Sequence, residues 1–122
     1  MAKSVNNDVL DGAFDVLDQA NLMTACSQEP LTRTEAVTTY ALADAAMVVN
    51  TDYTKADGDT NGRKVTVAAK SSILVDASGT ANHVALVDAT RLLYVTTCTA
   101  QALTAGNDVN FPAWDIEIAD PT

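Results

Sequence analysis

Basic residues are scarce in this sequence. Its 122 residues include seven lysines and arginines against sixteen aspartates and glutamates, which gives a formal charge of −9. Because contacts to phosphate groups need lysine and arginine, this charge argues against direct binding to nucleic acid or to an anionic membrane. The sequence also lacks a run of about 20 apolar residues that could cross a bilayer, and its N-terminus lacks the apolar segment of a secretory signal. We therefore expect a protein that is made in the cytoplasm and binds neither nucleic acid nor membranes.

Aromatic residues are also few. Phe, Trp and Tyr make up 5% of the chain, whereas 48% of it is hydrophobic, mostly Ala and Val. Small side chains bury less apolar area per residue than large ones. The length predicts one domain with a modest core, and we expect part of its stability to come from association with neighbouring subunits.

Groups suited to catalysis or metal binding are rare. His83 is the only histidine, and it lies within a run of Val, Ala and Leu. A triad of Ser78, His83 and Asp88 fails because this spacing along a strand places neighbours on opposite faces and spreads them over about 16 Å. Cys26 and Cys98 lack metal-site spacing, and without a secretory signal we expect two buried or half-buried thiols and no disulfide. No glycine-rich phosphate loop is present. We expect no enzyme activity, no catalytic residue, no cofactor and no metal.

One polar loop, residues 51–63, resembles the first half of a calcium-binding loop. Asp57, Asp59 and Asn61 alternate as oxygen ligands would, and Gly62 follows at a turn. The twelfth position should be a bidentate Glu, but it is Ala68, and no helix is indicated on either side. We therefore interpret the loop as a surface turn, with calcium binding as the alternative.

The apolar pattern is helical only near the N-terminus. Apolar residues from Val9 to Ala20 recur at three- and four-residue spacing, which predicts a helix from Asn7 to Gln19 that Asn6 or Asn7 can cap. Such a short, one-faced helix must lie on a sheet or on another subunit. We assign residues 1–21 to an N-terminal helical arm and residues 22–122 to a β-domain.

Strand-like runs fill the remainder of the chain. They cover residues 22–27, 47–49, 63–69 and 73–75, and three further runs lie between Gly79 and Ile118, where we predict antiparallel strands joined by hairpins. Thr32 and Glu35 have capping-box spacing, and residues 36–46 fit either a short helix or an extended segment. About seven short strands with turn signals between them predict a mainly β fold, an antiparallel β-sandwich or small barrel.

Trp114, the only tryptophan, has two interpretations. The segment from Phe111 to Trp114 could be an aromatic contact patch for a sugar or a protein. The preferred interpretation is that Trp114 anchors the core, because the lone tryptophan of a small β-domain is usually its largest buried side chain.

Several segments together resemble small structural proteins encoded by tailed bacteriophages. The resemblance covers nearly the whole chain, and the segments that carry it are residues 2–5, 62–69, 79–87, 92–96, 102–107 and 111–116. It implies a virion protein, first of all a decoration or cement protein that binds the outside of the head. The alternatives are a neck, collar or tail accessory subunit, or a host- or glycan-binding module.

The implied partners are the major capsid protein or other virion subunits, and further copies of the chain in a homo-oligomer. No functional residues follow from the resemblance, because such proteins work through surfaces. A decoration subunit needs an element that reaches a neighbour, and residues 2–19 are the candidate for that element. Many symmetric copies would make modest contacts strong in sum.

Overall fold

The structure of the protein, a computed structural model, describes residues 4–120. One helix, α1, spans Asn7–Leu17, and a single π-helical turn spans Glu35–Thr39. Nine strands make up about half of the described chain: β1 Leu22–Cys26, β2 Ala41–Ala46, β3 Tyr53–Asp57, β4 Arg63–Val67, β5 Lys70–Leu74, β6 Gly79–Val87, β7 Leu92–Leu103, β8 Asp108–Phe111 and β9 Trp114–Ile118. The predicted mainly β class with a short N-terminal helix is confirmed.

The strands form three antiparallel sheets. Sheet A has the order β2-β1-β6-β7, sheet B has the order β3-β4-β9, and sheet C pairs β5 with β8. One core cluster joins the inner face of sheet A to side chains of both smaller sheets and of α1. This arrangement agrees with the predicted sandwich or small barrel, with nine strands where the sequence indicated about seven.

Sheet A is covered on both faces at its centre. Along β1, Met23 and Ala25 belong to the main core, because alternate side chains of a strand point to the same face. On the opposite face, Ala36 of the π-helical turn packs against Ala85 and Val87 of β6. Residues 23–26 are therefore all buried, and this explains why β1 shows no alternation of polar and apolar residues.

Helix α1 is packed against the β-structure. Asn6 caps the helix as predicted, since its side-chain oxygen accepts a hydrogen bond from the Asp8 N–H at 2.7 Å. The helix ends at Leu17, before the predicted Gln19, and Phe14 is 0% exposed in the main core. The guanidinium of Arg63 on β4 donates to the Asp11 carboxylate at 2.9 Å. Residues 1–3 of the assigned arm lie outside the described residues.

The predicted hairpins between Gly79 and Ile118 are correct only for β6 and β7. These strands pair directly, and the Asp88 N–H donates to the Arg91 carbonyl at 3.0 Å across the turn. In contrast, β8 pairs with β5, and β9 pairs with β4. Gly106, at φ +90°, does reverse the chain as expected, but its N–H donates to Val75 next to β5. A turn signal predicts a reversal and does not specify the strand that the chain meets afterwards.

Residues 32–49 differ from the predicted pattern in two places. Half of the capping box forms: the Glu35 N–H donates to the Thr32 hydroxyl at 3.1 Å, but the Glu35 carboxylate accepts from the Leu31 N–H. This cap begins a single π-helical turn, and β2 follows at once. The strand predicted at 47–49 is wrong. The Asp52 carboxylate accepts the Val48 N–H at 2.6 Å and so stabilises a turn, in which Val48 is exposed.

The burial of Phe14 predicts a large stability effect at one helix position. Phe14→Ala should lower the free energy of unfolding by about 3–5 kcal/mol, because it leaves a cavity in the core. Val9→Ala is the matched control on the same helix, since Val9 is 66% exposed and its truncation should change stability by about 0.5 kcal/mol or less. Urea unfolding measures both values, and equal effects would show that α1 does not contribute its inner face to the core.

Candidate protein interaction surface

The three residues of the possible triad lie apart in the structure. The Ser78 hydroxyl accepts the Ala105 N–H at 2.9 Å, and His83 Nδ1 lies 2.6 Å from the side-chain oxygen of its neighbour Asn82. Within residues 4–120, no hydrogen bond joins any two of Ser78, His83 and Asp88. The structure therefore does not assemble a nucleophile, a base and an orienting acid from them.

Asp88 organises the β6–β7 turn. Its carboxylate accepts the Thr90 N–H at 2.8 Å, the Arg91 N–H at 2.5 Å and the Arg91 Nε–H at 2.7 Å. The hydrogen bond from the Thr90 backbone, together with those from Arg91, lowers the pKa of Asp88 below its ordinary value. Arg33 donates to the Asp88 carbonyl at 2.8 Å and so ties the segment after β1 to the same turn.

The calcium-like loop connects β3 and β4. One side-chain oxygen of each candidate ligand already has a partner: Asp57 accepts from Arg63 at 2.8 Å, Asp59 accepts from Lys64 at 2.8 Å, and Asn61 accepts the Asp120 N–H at 3.0 Å. Within the part of the chain that the structure describes, no three His, Cys, Asp or Glu side chains are grouped so that they could hold a metal ion. The loop has the geometry of a hairpin turn closed by ion pairs.

The two cysteines differ in exposure. Cys26 is buried and Cys98 is exposed, and both are free thiols, so the expectation of two buried or half-buried thiols is wrong for Cys98. Burial is the main cause that raises the pKa of Cys26, although a hydrogen bond with Thr24 opposes it. Cys98 is exposed because β7 extends beyond the covered part of sheet A, and the sequence does not reveal where that cover ends.

Three mostly apolar cavities border β7. The first, of about 450 Å³, lies between α1, Leu93 and Ile116. The second, of about 320 Å³, lies beside Thr97 and Trp114, and the third, of about 240 Å³, lies between Leu103 at the end of β7 and residues of β6 and β8. We call these cavities along β7 the β7 groove.

Trp114 forms part of the wall of this groove. Its ring lies 5.9 Å from the ring of Tyr94, with a tilt of 34°, so one aromatic pair bridges β7 and β9. Trp114 is partly buried against the main core, whereas Phe14, Met23 and Leu86 are among the fully buried side chains. The structure thus places Trp114 at the margin of the core, where it packs against the main cluster as the preferred interpretation expected, but it is only half-buried and also lines a cavity.

The outer edge of β7 has an unusual composition. β7 is the edge strand of sheet A, pairs only with β6 among the described strands, and exposes every residue from 97 to 102. All twelve of its residues are uncharged. Each other edge strand of the described chain carries at least one charged side chain: Asp44 on β2, Lys55 and Asp57 on β3, Lys70 on β5, Asp108 on β8, and Asp115 and Glu117 on β9.

A bulge divides this edge into two parts. Tyr94 to Thr97 pair one-to-one with β6, but the next matched pairs on β7 begin at Gln101, so Cys98–Ala100 face a single residue of β6. A bulge is one device that limits pairing at an edge. The stretch before it remains regular and uncharged. Sequence reasoning missed this surface, although one signal was present: no charged residue occurs between Arg91 and Asp108.

Comparisons with known proteins do not assign the chain to a family. No protein-family model, no curated protein and no solved structure matches it. Among residues 4–120, no helix is both long and apolar enough to span a bilayer. The β7 edge and the β7 groove are therefore the features from which function is proposed.

The difference in thiol exposure gives a direct chemical prediction. Ellman's reagent should modify one thiol per native chain, Cys98, and should reach Cys26 only after unfolding. Because partial desolvation raises the pKa of Cys98, its reaction at neutral pH should be slower than that of a free cysteine. Cys98→Ser should abolish the native reaction and Cys26→Ser should leave it unchanged. Equal reactivity of both native thiols would contradict this assignment.

The hydrogen bonds at Asp88 predict a pH dependence of stability. Its folded-state pKa is lowered, so its contribution is present above the unfolded value of about 3.9 and is lost as pH falls through the lower folded value. Asp88→Asn keeps an acceptor for the turn but removes the charge. The range from about pH 5 to about pH 2 spans the pKa values of the carboxylate. Over this range, the free energy of unfolding measured in urea should fall less for this variant than for the wild type.

Glu29→Gln is the control for that measurement, since Glu29 is an exposed carboxylate of the loop after β1. It should retain the acid dependence of the wild type. An Asp88→Asn variant with the full wild-type acid dependence would show that the turn carboxylate does not contribute to it.

Proposed function

We propose that this protein is a structural subunit of a tailed-bacteriophage virion, a decoration protein that binds the outside of the head and stabilises it through protein contacts. The single observation that supports it best is the uncharged edge of β7 beside an apolar groove. The resemblance of the sequence to small phage structural proteins suggests that the phage head is the particle to which such an edge would bind.

The chemistry of a free strand edge suits attachment to another protein. An unpaired edge presents backbone N–H and C=O groups, which a strand of a partner can pair with, while flanking pockets accept its alternate side chains. The β7 groove provides such pockets on the side of β7 that faces Trp114. A partner strand would therefore gain hydrogen bonds from β7 and apolar contacts from the groove.

Charge also supports a place on the outer surface of a head. A chain with a formal charge of −9 is repelled by packaged DNA, and it does not adsorb to it through phosphate contacts. The acidic side chains keep most of the surface soluble, whereas the β7 edge has none to desolvate when a partner binds. Repetition over many symmetric copies makes individually modest contacts strong in sum.

Helix α1 is not well suited to be the sole attachment element. Its inner face is occupied within the chain, where Phe14 is fully buried and Asp11 is paired with Arg63. Deleting residues 2–20 would therefore remove part of the core together with any contact. The exposed face of the helix, with Val9 at 66% and Val16 at 44% exposure, stays open for a secondary contact.

A second candidate function has one observation in its favour. The Tyr94 and Trp114 rings lie at the groove, and aromatic faces are typical of sugar-binding surfaces. A host- or glycan-binding module on the virion would show binding on a glycan array. A decoration protein would show none there, and it would raise the resistance of the head to heat.

The proposal predicts the effect of a charge at the β7 edge on particle binding. In particles made from the genome that encodes the chain, Thr97→Glu should lower the copy number of the protein by about tenfold or more, because a carboxylate would be buried at the contact. Heads with that variant should release DNA at a lower temperature. Quantitative mass spectrometry and a thermal release assay measure both effects.

Thr54→Glu is the matched control, because Thr54 is also an exposed threonine on an edge strand, β3. It should leave occupancy and heat resistance at the wild-type level. Absence of the wild-type protein from purified particles would overturn the proposal, and an electron-microscopy map that places it at the neck or tail would favour an accessory subunit there.

A further inference from the structure

We infer that the partner of the β7 edge is a second copy of this chain, which pairs its own β7 in antiparallel orientation around a two-fold axis. The inference rests on the proposed function, because it names a partner for the same surface. It makes a second copy, and not a strand of the capsid, the occupant of that edge, so that the dimer contacts the head through another surface such as the exposed face of α1.

The distribution of charge supports a second copy as the occupant. Two chains of charge −9 repel each other wherever their acidic side chains meet. β7 is the one edge strand among those described that carries no charge along its whole length, whereas β9 across the groove presents Asp115 and Glu117. Two copies can therefore bring backbones to pairing distance at β7 without placing like charges opposite each other.

The geometry of an antiparallel pair also makes β7 self-complementary. A two-fold axis through the centre of the regular stretch Tyr94–Thr97 would pair Tyr94 with Thr97 and Val95 with Thr96 of the other copy, so that every cross-strand neighbour lies in the same uncharged run. Pairing in this way uses the β7 edge of both copies, so association ends at a dimer. The charged residues on the other edges then oppose further addition of strands.

The bulge and the groove fit the same arrangement. Cys98–Ala100 leave one-to-one register with β6, so the ladder between copies is confined to the regular stretch before the bulge. Thr97, the exposed residue of that stretch, has a small side chain, and the cavities beside Thr97 and Leu93 provide apolar surface next to the axis. A short ladder is thus supplemented by side-chain burial, which a two-stranded contact in water needs.

Sedimentation of the purified full chain over a concentration series tests this inference. The wild type should pass from monomer to dimer as concentration rises. Thr97→Glu should raise the dimer dissociation constant by about tenfold or more, since each chain would bring a carboxylate into the short ladder, opposite Tyr94 of the other copy. Thr54→Glu and Thr97→Ser should leave the constant unchanged, and circular dichroism checks that each variant is folded.

A wild-type chain that is monomeric at every concentration overturns the inference, and so does a folded Thr97→Glu variant that dimerises like the wild type. If Thr97→Glu does not fold, Thr97→Lys is the second variant, since it also brings a charge into the ladder, with the same expected weakening and the same contrary result. If the wild-type chain is a monomer but Thr97→Glu still lowers particle binding, only the self-pairing is refuted. If the wild-type chain forms the dimer but is absent from purified particles, only the virion function is refuted.

Discussion

The burial of sheet A between two layers is the constraint on which the rest of the structure depends. Its inner face packs against sheets B and C and α1, and its outer face is covered near β1 and β6 by the segment around the π-helical turn. Because most of these side chains are small, tight packing requires that strands and cover approach closely. The cover does not extend along β7, and there sheet A ends in an exposed, uncharged edge.

The sequence predicted the features that depend on residues close together along the chain. Alternation and β-branched residues identified the strands of the β6–β7 hairpin, and the helical spacing with Asn6 as its cap identified α1. The pairing of β8 with β5 and of β9 with β4 was not predicted. Pairing between distant strands depends on which apolar faces pack together in the core, and the residues of one strand do not specify its partner.

The candidate interaction surface along β7 was predictable only in part. Its chemistry was visible as a stretch without charge between Arg91 and Asp108, but this stretch is compatible with a central strand as well as with an edge. Only the strand order places β7 at the end of sheet A. For the same reason, Trp114 could not be assigned to the groove wall, because its neighbour Tyr94 belongs to a strand that does not pair with β9.

The position of β1 in sheet A has a consequence for synthesis of the chain. β1 is central, yet one of its two partners is β6, so that Cys26 pairs with His83. During synthesis, one edge of β1 remains unpaired until β6 has left the ribosome. Sheet A therefore closes late, and non-local pairing of this kind is typical of domains that fold slowly. The nascent chain exposes the mostly apolar β1 throughout that interval, and such exposed, unpaired strands favour aggregation.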